Sequence, residues 1–162
     1  MEKKEEVLAW LQEHDVVYTL VEHPPAYTMQ DIEMFGVSRH GAVCKNLFLR
    51  DDKGKRHFLL SVCGDKQVNL AAIGEALGVR RLGFASEERL ARYLQLKKGA
   101  VTPLGVLFDK EHAVPVFLDK DLAAAETVGV HPCDNTATLF LAYGELKRAL
   151  ALAGAEVNEI DI

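Results

Sequence analysis

Long apolar runs, a basic excess and paired cysteines are all missing from this chain of 162 residues. No hydrophobic stretch approaches the roughly 18 residues of a membrane-spanning helix, so no such span is expected. The three cysteines, Cys44, Cys63 and Cys133, are odd in number and form no Cys-x-x-Cys pair. That excludes a disulfide framework and a structural zinc site with the usual ligand spacing. With 19 Lys and Arg against 24 Asp and Glu, the net charge of −5 argues against broad, non-specific nucleic-acid binding. It leaves room for a local basic patch. Internal repeats, low-complexity tracts and long linkers are also absent. The opening Met1-Glu2-Lys3-Lys4-Glu5-Glu6 is charged and helical in character, unlike a signal peptide, so a cytoplasmic location is expected.

What is present is an ordinary globular composition, 49% hydrophobic and 27% charged, with length enough for one domain over residues 1–162. Val7, Leu8 and Leu11 share a stripe with Trp10 beside it, which predicts an amphipathic helix over 3–14. Residues 16–21 read as a strand ended by His23-Pro24-Pro25, and Thr28 is placed to cap a short helix over 29–35. Two strands, 42–50 and 56–63, flank Asp51-Asp52-Lys53-Gly54-Lys55, and symmetric closure puts Lys45 opposite Ser61. Helices are expected over 69–77, stopped by Gly78, and over 87–95, capped by Ser86. Strands follow near 105–108 and 114–118, then a brief helix and a strand within 123–130, a strand over 136–141 and a helix over 145–153. Hairpins in the middle with helices around them favour an α+β fold with a mixed, mostly antiparallel sheet.

Lys45 is the most telling residue. In a strand, side chains two apart share a face, so Lys45 points with Val43, Leu47 and Leu49. An unpaired ammonium there costs several kcal/mol, roughly, unless it reaches water or meets an anion. An edge position and a ligand-handling role both satisfy that condition.

Other segments carry polar chemistry. The loop Gly99-Ala100-Val101-Thr102-Pro103-Leu104-Gly105 permits close backbone approach and can present N–H groups to an oxyanion, or it simply joins a helix to a strand. His131-Pro132-Cys133-Asp134-Asn135-Thr136 gathers a proton-transfer group and hydrogen-bonding groups, or forms an Asx-type turn. Gly64-Asp65-Lys66 follows a strand; Asp65 is free to pair with a base and Lys66 to meet phosphate, or both are solvated. Basic clusters lie at Arg50/Lys53/Lys55/Arg56, Arg80/Arg81 and Lys97/Lys98. A cysteine hydrolase would need an activated Cys44 or Cys133 near His131, and no local feature supplies the activation.

Lys45-Asn46-Leu47-Phe48-Leu49, Gly64-Asp65-Lys66, the Gly99-x-x-x-Pro103 loop and His131-Pro132-x-x-Asn135-Thr136 occur in the order and spacing of a known family. Together they resemble the YbaK/prolyl-tRNA-synthetase-associated editing domain over about residues 5–153, and most of all its free-standing ProXp-ala/PrdX-like branch. The resemblance implies a barrel-like sheet core flanked by helices and an aminoacyl-tRNA ester hydrolase that clears Ala-tRNA(Pro). Cys- or Ser-charged tRNA as substrate, or a non-catalytic tRNA-binding module, are the alternatives. It implies catalytic roles for Lys45, the Gly99, Ala100, Val101, Thr102 and Pro103 loop, and His131. Asn46, Ser61, Asp65, Lys66, Asn135 and Thr136 would bind substrate, and Arg80, Arg81, Lys97 and Lys98 the tRNA. No metal or other cofactor is implied. The partners are the acceptor end of mischarged tRNA(Pro) and prolyl-tRNA synthetase, with the protein a monomer or homodimer.

Overall fold

The computed structural model describes residues 2–64 and 66–162, so the expectation for Asp65 lies outside the described residues. Helix α1 (Lys3–Glu13) buries Val7 and Leu11 completely, with Leu8 and Trp10 packed partly against the same core. Strand β1 (Thr19–Glu22) and helix α2 (Met29–Met34) follow, then strands β2 (Ala42–Arg50) and β3 (His57–Cys63). Helix α3 (Leu70–Leu77), the two-residue strand β4 (Gly83–Phe84) and helix α4 (Glu87–Leu94) come next. The chain closes with β5 (Val116–Asp119), β6 (Val128–Val130), β7 (Ala137–Leu141), helix α5 (Tyr143–Leu152) and β8 (Val157–Ile160).

The helices start where side chains can accept the orphan amides of a first turn. Thr28 and Asp31 form a reciprocal capping box on α2, Asn69 caps α3 and Ser86 caps α4. Among the described residues the eight strands form one mixed sheet in the order β1-β7-β6-β2-β3-β5-β8, with β4 attached to β2. Pairs β2–β6, β3–β5 and β5–β8 are parallel and the rest antiparallel. This is an α+β fold with helices on both faces. One face carries the larger core, where Phe48, Leu59, Val116, Leu118 and Leu139 meet α1, α4 and α5. The other buries Leu47, Leu49, Phe58, Leu60 and Val62 against Ile73 of α3.

Four sequence expectations need correction. Residues 103–108 form a 3-10 helix rather than a strand: Thr102 accepts from the Leu104 amide, and Pro103 suits a first turn. Strand β1 begins at Thr19, because Asp15 at φ 56 and the Val16 amide bonded to the Leu11 carbonyl tie that stretch to α1. Strands β4 and β8 went unanticipated, being short and partly polar. The hairpin register differs by one residue, so Lys45 faces Val62 and Asn46 faces Ser61. Its cause is the turn, in which the Asp51 amide bonds the Arg56 carbonyl and the Asp51 carboxylate accepts from Lys55 and Arg56. The slip puts Val62, Leu60 and Phe58, rather than Ser61, on the face that Lys45 shares with Leu47 and Leu49.

Buried His57 lies against Phe48 and Tyr93, with ring centroids 5.4 and 4.1 Å away. Arg89 Nη1, which can only donate, lies 3.1 Å from His57 Nε2, so that nitrogen holds a lone pair. Burial first, and the Arg89 charge second, lower the His57 pKa. The unfolded chain therefore takes up this proton before the folded one, and stability falls as the medium is acidified below the ordinary histidine value. Thermal denaturation between about pH 7 and pH 5 should show Tm dropping in the parent, with a shallower slope in His57→Phe. Parallel slopes in the two proteins would refute this role.

Candidate active site

The sheet leaves a gap along one edge of β2. Strand β6 pairs with Ala42 and Val43, and β4 pairs with Leu49 and Arg50. The Ala85 amide covers the Phe48 carbonyl, so on the edge away from β3 the stretch from Cys44 to Leu47 has no strand beside it among the described residues. A cavity of about 290 Å³ opens there. Lys45 and Asn46 line it from β2, Gly99 and Val101 from the glycine–proline loop, and His131 from the turn before β7. Ala26, Met29, Ile32 and Val43 supply an apolar wall.

Lys45 is half-buried, between the apolar cluster containing Val43 and the one containing Leu47 and Leu49. Its ammonium has no hydrogen bond or ion pair with any of the described residues. A cation held this way is free to meet water or an anionic ligand. Neighbouring Asn46 is oriented from behind: Ser61 Oγ donates to Asn46 Oδ1 at 2.6 Å. Buried Ser61 thus positions Asn46 without lining the cavity.

His131 is fixed by its Nδ1, 2.8 Å from the Ala137 carbonyl oxygen. That oxygen only accepts, so Nδ1 carries the proton and Nε2 keeps a lone pair. Burial pulls the His131 pKa below its ordinary value, against the Ala137 carbonyl, which favours the charged ring. Beside it His23 spans Pro24 O at 2.8 Å and Thr138 Oγ1 at 2.9 Å, its ring centroid 6.1 Å from that of His131. In the loop, the Ala100 amide is spent on the Lys97 carbonyl. The Gly99 and Val101 amides have no acceptor among the described residues, and both residues face the cavity.

A second cleft of about 430 Å³ adjoins the first and contains Lys97, Lys98, Ala100, Asn135 and Thr136. Thr136 donates its amide and hydroxyl to Asp134 Oδ1, which forms the expected Asx-type turn. The remaining sequence candidates lie elsewhere. Thr102 and Pro103 turn into the core. Lys66 is held by Asp119 and Asp121 at 2.9 and 2.6 Å, so its ammonium is not open to a phosphate. Burial raises the Asp119 carboxyl, but hydrogen bonds from Lys66 and the Asp121 and Cys63 amides outweigh it and hold the pKa low. Arg80 and Arg81 are exposed between α3 and β4 and line neither cavity.

Cys44 borders the cavity, but burial pushes its thiol above the ordinary range. Burial likewise pushes Cys133 up to about 12. Neither is a thiolate near neutrality, which removes the cysteine-hydrolase reading. Sequence reasoning missed Tyr27, Met29 and Ile32 as cavity residues. The Thr28 capping signal located their helix, but nothing local shows that α2 folds over the gap in β2.

A profile of the aminoacyl-tRNA editing domain matches residues 23–149. The chain is 41% identical over 162 residues to the prolyl-tRNA editing protein ProX of Acetoanaerobium sticklandii, spanning 100% of this chain and 99% of that one. It is 32% identical over 149 residues to prolyl-tRNA synthetase associated domain-containing protein 1 of Danio rerio, covering 91% and 80%. A solved structure of a candidate trans-editing enzyme for prolyl tRNA synthetase superposes with a TM-score of 0.73 at 23% identity, covering 100% and 98%.

The two lysines make opposite demands on the fold. Removing the ammonium in Lys45→Met should leave Tm unchanged or slightly higher, because no protein partner is lost. Lys66→Met should lower Tm by about 4 °C, because Asp119 loses its counter-charge. Calorimetry on both variants checks this; a large loss in Lys45→Met would mean that its charge is structural.

Proposed function

The chain belongs to the aminoacyl-tRNA editing domain family, and on that premise we propose that it hydrolyses the ester of alanine mischarged onto tRNA(Pro). The observation that carries this reading is the unpartnered Lys45 ammonium beside free loop amides and a neutral imidazole. A charged tRNA end offers what this site lacks. Its ester is neutral and its amino group cationic, so the formal negative charge nearest the bond is the phosphate of the terminal nucleotide. Lys45 grips that phosphate through charge-assisted hydrogen bonds and so fixes the ester over the loop. The Gly99 and Val101 amides donate to the carbonyl oxygen and gain strength as it becomes an oxyanion.

Water attacks the ester carbon, with the His131 Nε2 lone pair available to accept one of its protons. The tetrahedral adduct then expels the ribose oxygen, which takes a proton, giving free alanine and uncharged tRNA. No protein nucleophile is needed. The alanyl methyl meets Ala26, Met29, Ile32 and Val43, and that wall limits side-chain size. A synthetase site built for proline cannot refuse a smaller residue, since a missing methylene gives only about 1–3 kcal/mol of discrimination. A second site that excludes proline by volume corrects this error. Lys97 and Lys98 beside the loop, and exposed Arg80 and Arg81, contact the tRNA backbone. The acidic net charge confines tRNA binding to such patches, and the protein acts on tRNA released by prolyl-tRNA synthetase.

Purified protein incubated with alanyl-, seryl-, cysteinyl- and prolyl-tRNA(Pro) should release alanine fastest and spare proline. Release of proline at the alanine rate would overturn the reading, and fastest release of serine or cysteine would move the substrate assignment. Lys45→Ala should lower alanine release about a hundredfold, the scale of misplacing a reacting group by an ångström, because the ester is no longer fixed over the loop, with the fold intact. Because the His131 pKa is depressed, the rate should stay level from alkaline pH down past the ordinary histidine value and fall only in more acid medium. A fall that begins well above that value would show that His131 ionises elsewhere or plays no part.

A further inference from the structure

One side chain, Tyr27, lines both the reaction cavity and the second cleft. It is 68% exposed, and its hydroxyl has no hydrogen-bond partner among the described residues. Its backbone, by contrast, is fastened. The Tyr27 amide donates to Asp31 Oδ2 at 2.9 Å, and the preceding Ala26 amide to the Asn135 carbonyl at 3.0 Å. Across from the ring lies Gly99 at φ +88, where a Cβ would stand 2.8 Å from Tyr27 Cδ1. The missing side chain at Gly99 is what lets the ring lean on bare backbone at the junction. A largely uncovered aromatic plane on a fastened backbone, shared by two adjoining cavities, fits a ligand with two joined parts, one of them flat.

The second cleft suits the flat part. Beyond Tyr27 it offers Asn135 and Gln95, whose amides can both donate and accept, with Lys97 and Lys98 at its rim. A purine edge needs such mixed hydrogen-bonding groups, and the phosphate of the preceding nucleotide suits the lysines. We propose that Tyr27 is the stacking platform for the 3′-terminal adenine of the tRNA, seated in the second cleft while the aminoacyl ester occupies the first. This rests on the deacylase reading above and deepens it, because it divides the substrate between the two cavities. Stacking on an aromatic ring reads the presence of a base and not the amino acid attached. Tyr27 is therefore a positioning residue, outside the amino-acid selection made by Met29 and Ile32.

The test uses an acceptor-stem minihelix of tRNA(Pro) ending in 2-aminopurine, whose fluorescence is quenched by stacking. The parent and Tyr27→Phe should quench it, whereas Tyr27→Leu should not and should bind about tenfold more weakly, the scale of one lost base–aromatic stack. With alanyl-tRNA(Pro), Tyr27→Leu should raise KM about tenfold and leave kcat and the alanyl-to-prolyl ratio nearly unchanged. Equal quenching by Tyr27→Leu and the parent would overturn the proposal. So would a changed alanyl-to-prolyl ratio at unaltered KM, which would make Tyr27 a lid on the first cavity. If the parent hydrolyses no aminoacyl-tRNA, the deacylase reading fails by itself, and the uncharged fluorescent minihelix still decides where the base stacks.

Discussion

A half-buried lysine without a protein counter-charge among the described residues is the constraint on which the site depends. Lys45 stands between two apolar clusters, at the place where β2 loses its strand neighbour. No carboxylate among the described residues neutralises the charge, and the open edge gives a ligand access to it. Were Lys45 paired as Lys66 is with Asp119, the cavity would hold a satisfied ion pair with no pull on an anion. The same sheet thus uses one lysine to lock its far end and leaves another uncompensated.

The elements around the gap follow from this arrangement. Short β4 and β6 reach β2 only at its two ends, so the middle edge stays open without unravelling the strand, which β3 pairs along seven residues. The glycine–proline loop and His131 line the opening, and Met29 and Ile32 of α2 add to its apolar wall. Each group is held by a bond that its chemistry dictates: a carbonyl for His131 Nδ1, a hydroxyl for Asn46, a capping carboxylate for the Tyr27 amide. Such prior fixing lets hydrogen bonds act on a developing charge without reorganising first.

Local physics was legible in the sequence and non-local pairing was not. Thr28 and Ser86 announce their helices because capping is an interaction within four residues. Period-two patterning placed Lys45 on an apolar face, and it faces that way in the fold. The parallel pairings of β3 with β5 and β5 with β8 join distant segments and leave no local trace. The register of the β2–β3 hairpin escaped because the Asp51 carboxylate sets it. Within the candidate site, Lys45, Asn46, Gly99, Val101 and His131 converge on one cavity. Thr102, Pro103 and Lys66 carry equally suggestive residue types but are spent on a helix start and an ion pair. Tyr27 was invisible because its importance comes from the loop that α2 happens to face.

The central claim is that Lys45 meets an anion only when the tRNA terminus arrives. The most direct measurement is the salt dependence of binding for a minihelix carrying alanine through a non-hydrolysable amide, compared between the parent and Lys45→Met. The account predicts a shallower log–log slope in the variant, by about 0.7 for one lost single-strand phosphate contact. Parallel lines would mean that the Lys45 charge never touches the phosphate, contradicting the account.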